Sequence, residues 1–253
     1  MSTVREFPRW WMPADWPAPV RVHAGITNRR GGNSRHAFGG FNLALHVGDE
    51  PAAVTSNRDE LRRGLQLPNE PCWLQQVHGR RVVAAAAGLP QSADGSHATD
   101  AGQVCAVLVA DCVPLLLTDL AGTRIAAIHA GWRGIAAGIV EAGIAALGAQ
   151  PDQVLAWIGP SIGPQRYAVG AEVRSACLQL DPRSADCFEP AAAEHWHANL
   201  KQLVNLQLQR HGVRAIHGSD LCVHENPELF FSHRRDGQTG RMAALIWVDA
   251  DQR

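Results

Sequence analysis

Several things are scarce in this sequence. It has one lysine, Lys201, among 23 basic residues, and one tyrosine, Tyr167. Against 24 acidic side chains this leaves a formal net charge of -1. Such a balance gives no bulk attraction to nucleic acid or to an anionic membrane, so an anionic ligand must be held by a local cluster of arginines. Long apolar runs are also missing. The stretch from Val104 to Leu117 is interrupted by Asp111 and Pro114, and nothing reaches the roughly 18–20 residues of a membrane span. Six cysteines are present without a CxxC pair, which argues against a zinc knuckle or a thioredoxin-like site. There is no GxGxxG opening a helix, no GxxxxGK[ST], no HExxH and no HxE…PCxxC signature of the zinc deaminases. Met1 to Pro17 mixes Arg5, Glu6, Arg9 and Asp15 with prolines and holds no apolar signal core. The expectation is a reduced, cytoplasmic protein with free thiols and neither a nucleic-acid nor a membrane partner.

What is present describes a folded domain. With 253 residues, 46% hydrophobic and 19% charged, the chain is long enough to bury a large core. Residues 1–20, rich in Pro and Trp, read as an irregular surface arm, and 21–253 as a single domain. Arg21 to Ile26 alternates like a strand. Pro51 to Leu65 reads as a helix, with proline at its start and Val54, Leu61 and Leu65 on one face. Val104 to Ala110, Leu115 to Thr118, Thr123 to Ile128, Val154 to Ile158 and Leu245 to Val248 read as strands. Ile135 to about Leu147 and Asn199 to His211 read as helices. Strands and helices mix without a strict βαβ rhythm. The fold class this predicts is α/β or α+β, with flanking helices on a mixed β-sheet core.

Three residues stand beside glycine or proline breaks at predicted strand ends: His78 in Gln76-Val77-His78-Gly79, Cys112 in Ala110-Asp111-Cys112-Val113-Pro114, and His129 before Ala130-Gly131-Trp132-Arg133-Gly134. Two imidazoles and a thiolate make a familiar set for catalytic zinc, with a fourth position open. The same trio fits a blue-copper centre, which usually adds a weak axial methionine. It also fits a metal-free hydrolase in which Cys112 is the catalytic nucleophile and a histidine its base. A structural metal in a binding module is a further reading. Arg133, at a predicted helix start, suits an anion, and Arg29, Arg30 and Arg58 are further clamp candidates. Asp94, before Gly95, reads as a turn aspartate. Gly159-Pro160-Ser161-Ile162-Gly163 matches GxSxG, but the flanking prolines predict a rigid loop rather than a nucleophile elbow. His195-Trp196-His197, the one HxH, falls in an expected helical stretch.

Taken together, Thr27-Asn28-Arg29-Arg30-Gly31-Gly32, Phe41 to Asp49, Asn57-Arg58, Trp73 to Gly79, Ala110 to Pro114, His129 to Gly134, Ile158-Gly159-Pro160 and Phe230 to Asp236 follow one order over nearly the whole chain. In these motifs the sequence resembles the laccase-domain (YfiH-like) family of purine nucleoside phosphorylases, formerly labelled multicopper polyphenol oxidases. The resemblance implies a single mixed α/β domain with a zinc site on His78, Cys112 and His129, copper being the alternative metal. It implies phosphorolysis of adenosine, inosine and methylthioadenosine, with adenosine deamination as a side activity. Purine nucleosides and phosphate are then the small-molecule partners, and Arg29, Asn42, Arg58 and Arg133 the substrate-binding candidates. Three positions depart from the family pattern: Asn28 for threonine, Ala168 where relatives often carry glutamate, and His233 for tyrosine.

Overall fold

Apolar side chains run without interruption along Val104–Val109 and Met242–Val248, and alternate ones enter different cores. Cys105, Val107 and Val109 join Met242, Ala244, Ile246 and Val248 in one cluster, whereas Val104, Ala106 and Leu108 join Ala243, Leu245 and Trp247 in another. A strand with a period of two that is buried on both faces must be sandwiched between layers.

The computed structural model describes residues 7–88, 90–192 and 194–249. Its main elements in chain order are β1 (Trp11–Pro13), β2 (Val22–Thr27), α1 (Pro51–Leu65), β3 (Val82–Ala84), β4 (Gly95–Ala98), β5 (Val104–Val109), β6 (Val113–Asp119), β7 (Ile125–Ala130), α2 (Trp132–Ala136), α3 (Ile139–Leu147), β8 (Val154–Ile158), α4 (Ala171–Leu180), α5 (Leu200–Arg210), β9 (Ala215–Gly218), α6 (His233–Asp236) and β10 (Met242–Val248). An antiparallel sheet in the order β1-β2-β10-β5 packs against a mixed sheet in the order β9-β8-β6-β7-β4-β3, whose end pairs β9/β8 and β4/β3 are parallel. The outer face of the first sheet is covered by α1, through Leu61 and Leu65, and by Trp10, Phe41 and Leu43. Helices α3 and α5 supply Ile139, Val140, Ile144, Leu200, Leu203 and Val204 to the larger core. The mixed α/β architecture is the expected one. Among the described residues no helix is long and apolar enough to cross a membrane.

The helix α1 matches its sequence pattern, with proline in its first turn and Val54, Asn57, Leu61 and Leu65 buried on one face. Three expectations are corrected. Within the supposed surface arm, Trp11–Pro13 forms an edge strand on β2, and Trp10 stacks on Phe41 at 4.5 Å while its Nε1 donates to Glu60 at 2.8 Å. Two large indoles bury too much apolar area to stay in solvent. The helix expected from Ile135 onward is two helices, because Gly138 takes a left-handed φ of 87° between α2 and α3. Trp196–Ala198 is a short strand rather than helical.

Candidate metal centre

Strand register brings the sequence-distant residues together. Across β6/β7, Pro114 faces His129 and Val113 faces Ala130, so Cys112 sits just beyond the end of the strand that holds His129. Across β4/β7, Gly95 faces Ile128, which sets Asp94 beside His129, and the His129 N–H donates to the Asp94 carbonyl at 2.7 Å. His78 lies in the loop before β3. It and Asp111 both have positive φ, 59° and 104°. Such a conformation costs a non-glycine residue on the order of 1–3 kcal/mol and persists only when its surroundings enforce it.

The enforcing bonds are present at both positions. The Asp94 carboxylate, fully buried, accepts the backbone N–H groups of His78 (2.8 Å), Gly79 (2.7 Å) and Val77 (3.2 Å). The Asp111 carboxylate accepts the Ser232 hydroxyl (2.6 Å) and the Arg234 N–H (2.7 Å), and its carbonyl accepts the Ile162 N–H (2.9 Å). Gly131 completes the frame. A Cβ there would lie 2.8 Å from His78 Cδ2 and 3.0 Å from Cys112 Sγ, so no larger residue fits without moving them.

The nitrogen and sulfur atoms of His78, Cys112 and His129 all lie within 4.8 Å of one another, with His78 Nε2 3.9 Å from Cys112 Sγ. Three atoms so spaced share a point at most about 2.8 Å from each, a small contraction from the roughly 2.0–2.3 Å of zinc bonds. The donor set fits a metal. The Asp94 carboxylate lies 2.9 Å from His129 Nδ1, which fixes the tautomer and turns Nε2 toward the cleft, the usual support for a metal-binding histidine. Electrostatics agree. Burial pushes the Cys112 thiol up, but the His129 charge and hydrogen bonds from both imidazoles outweigh it and bring it down to about 6. Burial pulls His129 down, while the Cys112 thiolate and the Asp94 hydrogen bond carry it up to about 9. Both shifts favour a thiolate–imidazolium pair when no metal is bound.

The trio forms part of the wall of a cleft of about 330 Å3. Arg133, Arg234 and Arg241 line it, with His46, Trp132 and Tyr167. Among the described residues the Arg133 guanidinium makes no hydrogen bond or ion pair; it lies 4.4 Å over the Trp132 ring. The remaining substrate-binding candidates lie elsewhere. Arg29 donates to the carbonyls of Gly39 and Pro227, both at 3.1 Å. Asn42 is fully buried and pairs with Ala44, Asp49 and the Arg241 N–H. Arg58 donates twice to the Leu43 carbonyl and covers the Trp73 ring at 4.0 Å. None of these three lines the cleft. Sequence reasoning takes Asp94 for a turn residue and Arg234 for part of a local ion-pair turn with Asp236, and assigns no role to Arg241. Ser161 of the GxSxG match is fully buried in a backbone bridge with Cys222, out of reach of a substrate.

The fold and cleft define a mixed α/β protein with a metal-competent His-Cys-His centre ringed by arginines. Residues 23–249 match the family model described as multi-copper polyphenol oxidoreductase laccase, and the chain belongs to that family. It is 43% identical to purine nucleoside phosphorylase PA4543 of Pseudomonas aeruginosa, over 94% of this chain and 98% of that one. It is 42% identical to purine nucleoside phosphorylase YfiH of Escherichia coli K12, over 92% and 96%. Among solved structures it resembles NMB0706 of Neisseria meningitidis, with a TM-score of 0.93 at 42% identity, covering 96% of this chain and 100% of that chain. YlmD of Geobacillus stearothermophilus superposes with a TM-score of 0.91 at 31% identity, covering 97% and 98%.

Proposed function

We propose that this protein is a zinc-dependent purine nucleoside phosphorylase of the cytoplasm, converting adenosine, inosine and methylthioadenosine to free base and ribose 1-phosphate, with adenosine deamination as a side activity. His78, Cys112 and His129 are the proposed ligands. The reading is carried by one observation: three arginines share a cleft with that trio, and Asp111, the carboxylate in the lining, already has both oxygens engaged. The three guanidiniums outnumber the Asp111 carboxylate and the Cys112 thiolate, so the cleft carries a net positive charge suited to a phosphate dianion. The names of the relatives support purine nucleosides as the substrate class.

A phosphate oxygen forms the new bond to C1′ while the bond from C1′ to the purine nitrogen breaks. Its electron pair leaves with the base, which takes up a proton. The ribosyl group passes through an oxocarbenium-like state, as in glycoside hydrolysis. Arg133, Arg234 and Arg241 hold the phosphate against the sugar, and two of them are already fixed in place: Arg234 is tied to the Ala168 carbonyl at 3.0 Å and Arg241 to those of Thr239 and Gly240 at 2.8 and 3.0 Å. Bound zinc supplies Lewis-acidic charge beside them. Cys112 enters as a thiolate and lowers the net charge of the centre. Copper is the second choice of metal: no methionine lines the cleft, and Met242 Sδ is occupied in the core by the Phe231 N–H at 3.2 Å.

A metal-free thiol hydrolase is the second reading, favoured by the thiolate–imidazolium pair of Cys112 and His129. Chromatography of inosine incubations separates the two. Release of hypoxanthine that requires phosphate and is stopped by a chelator is the expected result. Wild-type turnover by His129→Ala with inosine and phosphate would overturn the assignment.

A further inference from the structure

A second hollow of about 560 Å3 adjoins the metal cleft. Its walls include Leu45, Arg58 and Trp73, and it shares His46, Gln76 and Leu108 with the cleft. The shared sill is rigid. The Gln76 side-chain amide donates to the Leu108 carbonyl at 2.8 Å and accepts the Leu108 N–H at 2.7 Å. Nothing in the hollow is a member of the His-Cys-His trio, and the mechanism above leaves it unused.

Its chemistry is that of a site for a flat heteroaromatic ring. Leu45 is 49% exposed at the rim, leaving its side chain free to cover a ligand. The Trp73 indole is held by its Nε1 bond to Glu70 at 2.7 Å and by the Arg58 guanidinium over its ring. Arg58 spends Nε and Nη2 on the Leu43 carbonyl, and among the described residues its Nη1 makes no hydrogen bond. A fixed indole, an exposed leucine and one free charged donor offer a purine apolar contact and a partner for a ring nitrogen or exocyclic oxygen.

Displacement at C1′ with the nucleophile opposite the leaving group adds a direction. Arg133, Arg234, Trp132 and Tyr167 line the cleft but not the hollow. With phosphate on Arg133 and Arg234, a base leaving from the opposite face of the sugar crosses the sill. We propose that the purine base occupies this second hollow, packed on Leu45 and Trp73 with one edge toward Arg58, while the ribose spans His46, Gln76 and Leu108. The inference rests on the phosphorylase reading and adds the residues that select the base.

The test uses Leu45→Asp, a half-exposed position whose substitution leaves the core intact, beside Trp73→Ala. Leu120→Asp, equally exposed in the turn after β6, is the control. Hypoxanthine binding is measured by calorimetry on loaded and chelator-stripped protein, and KM is measured for inosine and for phosphate. The expected result is hypoxanthine affinity and inosine KM worsened about tenfold or more in both hollow variants, the scale of one lost apolar or stacking contact. The phosphate KM stays within about twofold, and base binding survives removal of the metal because no ligand of the trio lies in the hollow. Unchanged inosine KM and hypoxanthine affinity in both variants would overturn the inference and leave phosphorolysis standing. A loaded wild-type enzyme that neither cleaves inosine nor binds hypoxanthine would overturn both.

Discussion

Two polar constellations in this molecule, each built around glycine and arginine, do opposite things. One surrounds Phe41: Arg29, Asn33, Asn42 and Asn57, with Gly32 and Gly40. The other surrounds Gly131: His78, Asp94, Cys112 and His129, with Arg133, Arg234 and Arg241. In the first, side-chain capacity is spent inside the protein. Asn57 Oδ1 accepts the Asn33 N–H at 2.7 Å, and its Nδ2 donates to the Asn42 carbonyl at 2.8 Å and Ser34 Oγ at 3.0 Å. A Cβ at Gly40 would meet the Arg29 carbonyl oxygen at 2.0 Å, and φ there is 121°, so glycine is obligatory. In the second, the backbone is equally constrained, yet an imidazole Nε2, a thiolate and an unpaired guanidinium are left facing a cleft. Motif-like sequence therefore has two sources, a loop that must close on itself and a site that must leave valence free. Unspent hydrogen-bonding and coordination capacity separates them.

The largest effect should come from the cleft. Cys112→Ala or His129→Ala should abolish metal binding and lower inosine turnover by at least about three orders of magnitude, with little change in the urea midpoint; elemental analysis and single-turnover assays check this. A variant that keeps its metal would break the contrast. Asp94→Ala should follow. Loss of the carboxylate that orients a metal histidine costs roughly 10–100-fold in metal affinity, read by competition with a chelator, and excess zinc should restore part of the turnover.

In the other constellation the pattern should invert. Asn57→Ala or Asn42→Ala leaves buried donors and acceptors unpaired, about 1–3 kcal/mol for each stranded group, so urea unfolding should shift while metal stoichiometry per folded chain stays at the wild-type value. The smallest effect sharpens the electrostatics. In stripped protein the Cys112 thiol is brought down to about 6, so it is mostly thiolate at pH 7 and loses its reactivity toward alkylation only as pH falls through that value. Iodoacetamide should modify Cys112 about two- to threefold faster than an ordinary thiol at pH 7, the larger thiolate fraction being partly offset by its lower basicity. Cys105, which burial pushes up to about 12, should stay inert, and zinc should protect Cys112.

Much of this was legible in the sequence, for identifiable reasons. The helix α1 carries a clean apolar period and a proline start. The trio could be picked out because each member sits at a strand end beside a glycine or proline break. Asp94 could not, since aspartate before glycine is the commonest sign of a turn, and its four partners arrive only through the pairing of β4 with β7 and the loop at His78. Arg234 and Arg241 come from the last quarter of the chain and reach the cleft through α6 and the start of β10, which no local pattern reveals. Arg29 and Asn42 are misleading in the other direction. Their motif segments are distinctive because the loop around Phe41 closes only with those residues. The split at Gly138 escaped the helical pattern because the apolar spacing continues across it.

The most direct test of the account is turnover against metal occupancy in a single series. Wild-type protein would be stripped by a chelator and reloaded with graded zinc, and phosphate-dependent release of hypoxanthine from inosine measured at each occupancy. The prediction is a line through the origin that saturates near one zinc per chain. Full turnover at zero occupancy would contradict it, and so would a fully loaded enzyme that releases base equally well without phosphate.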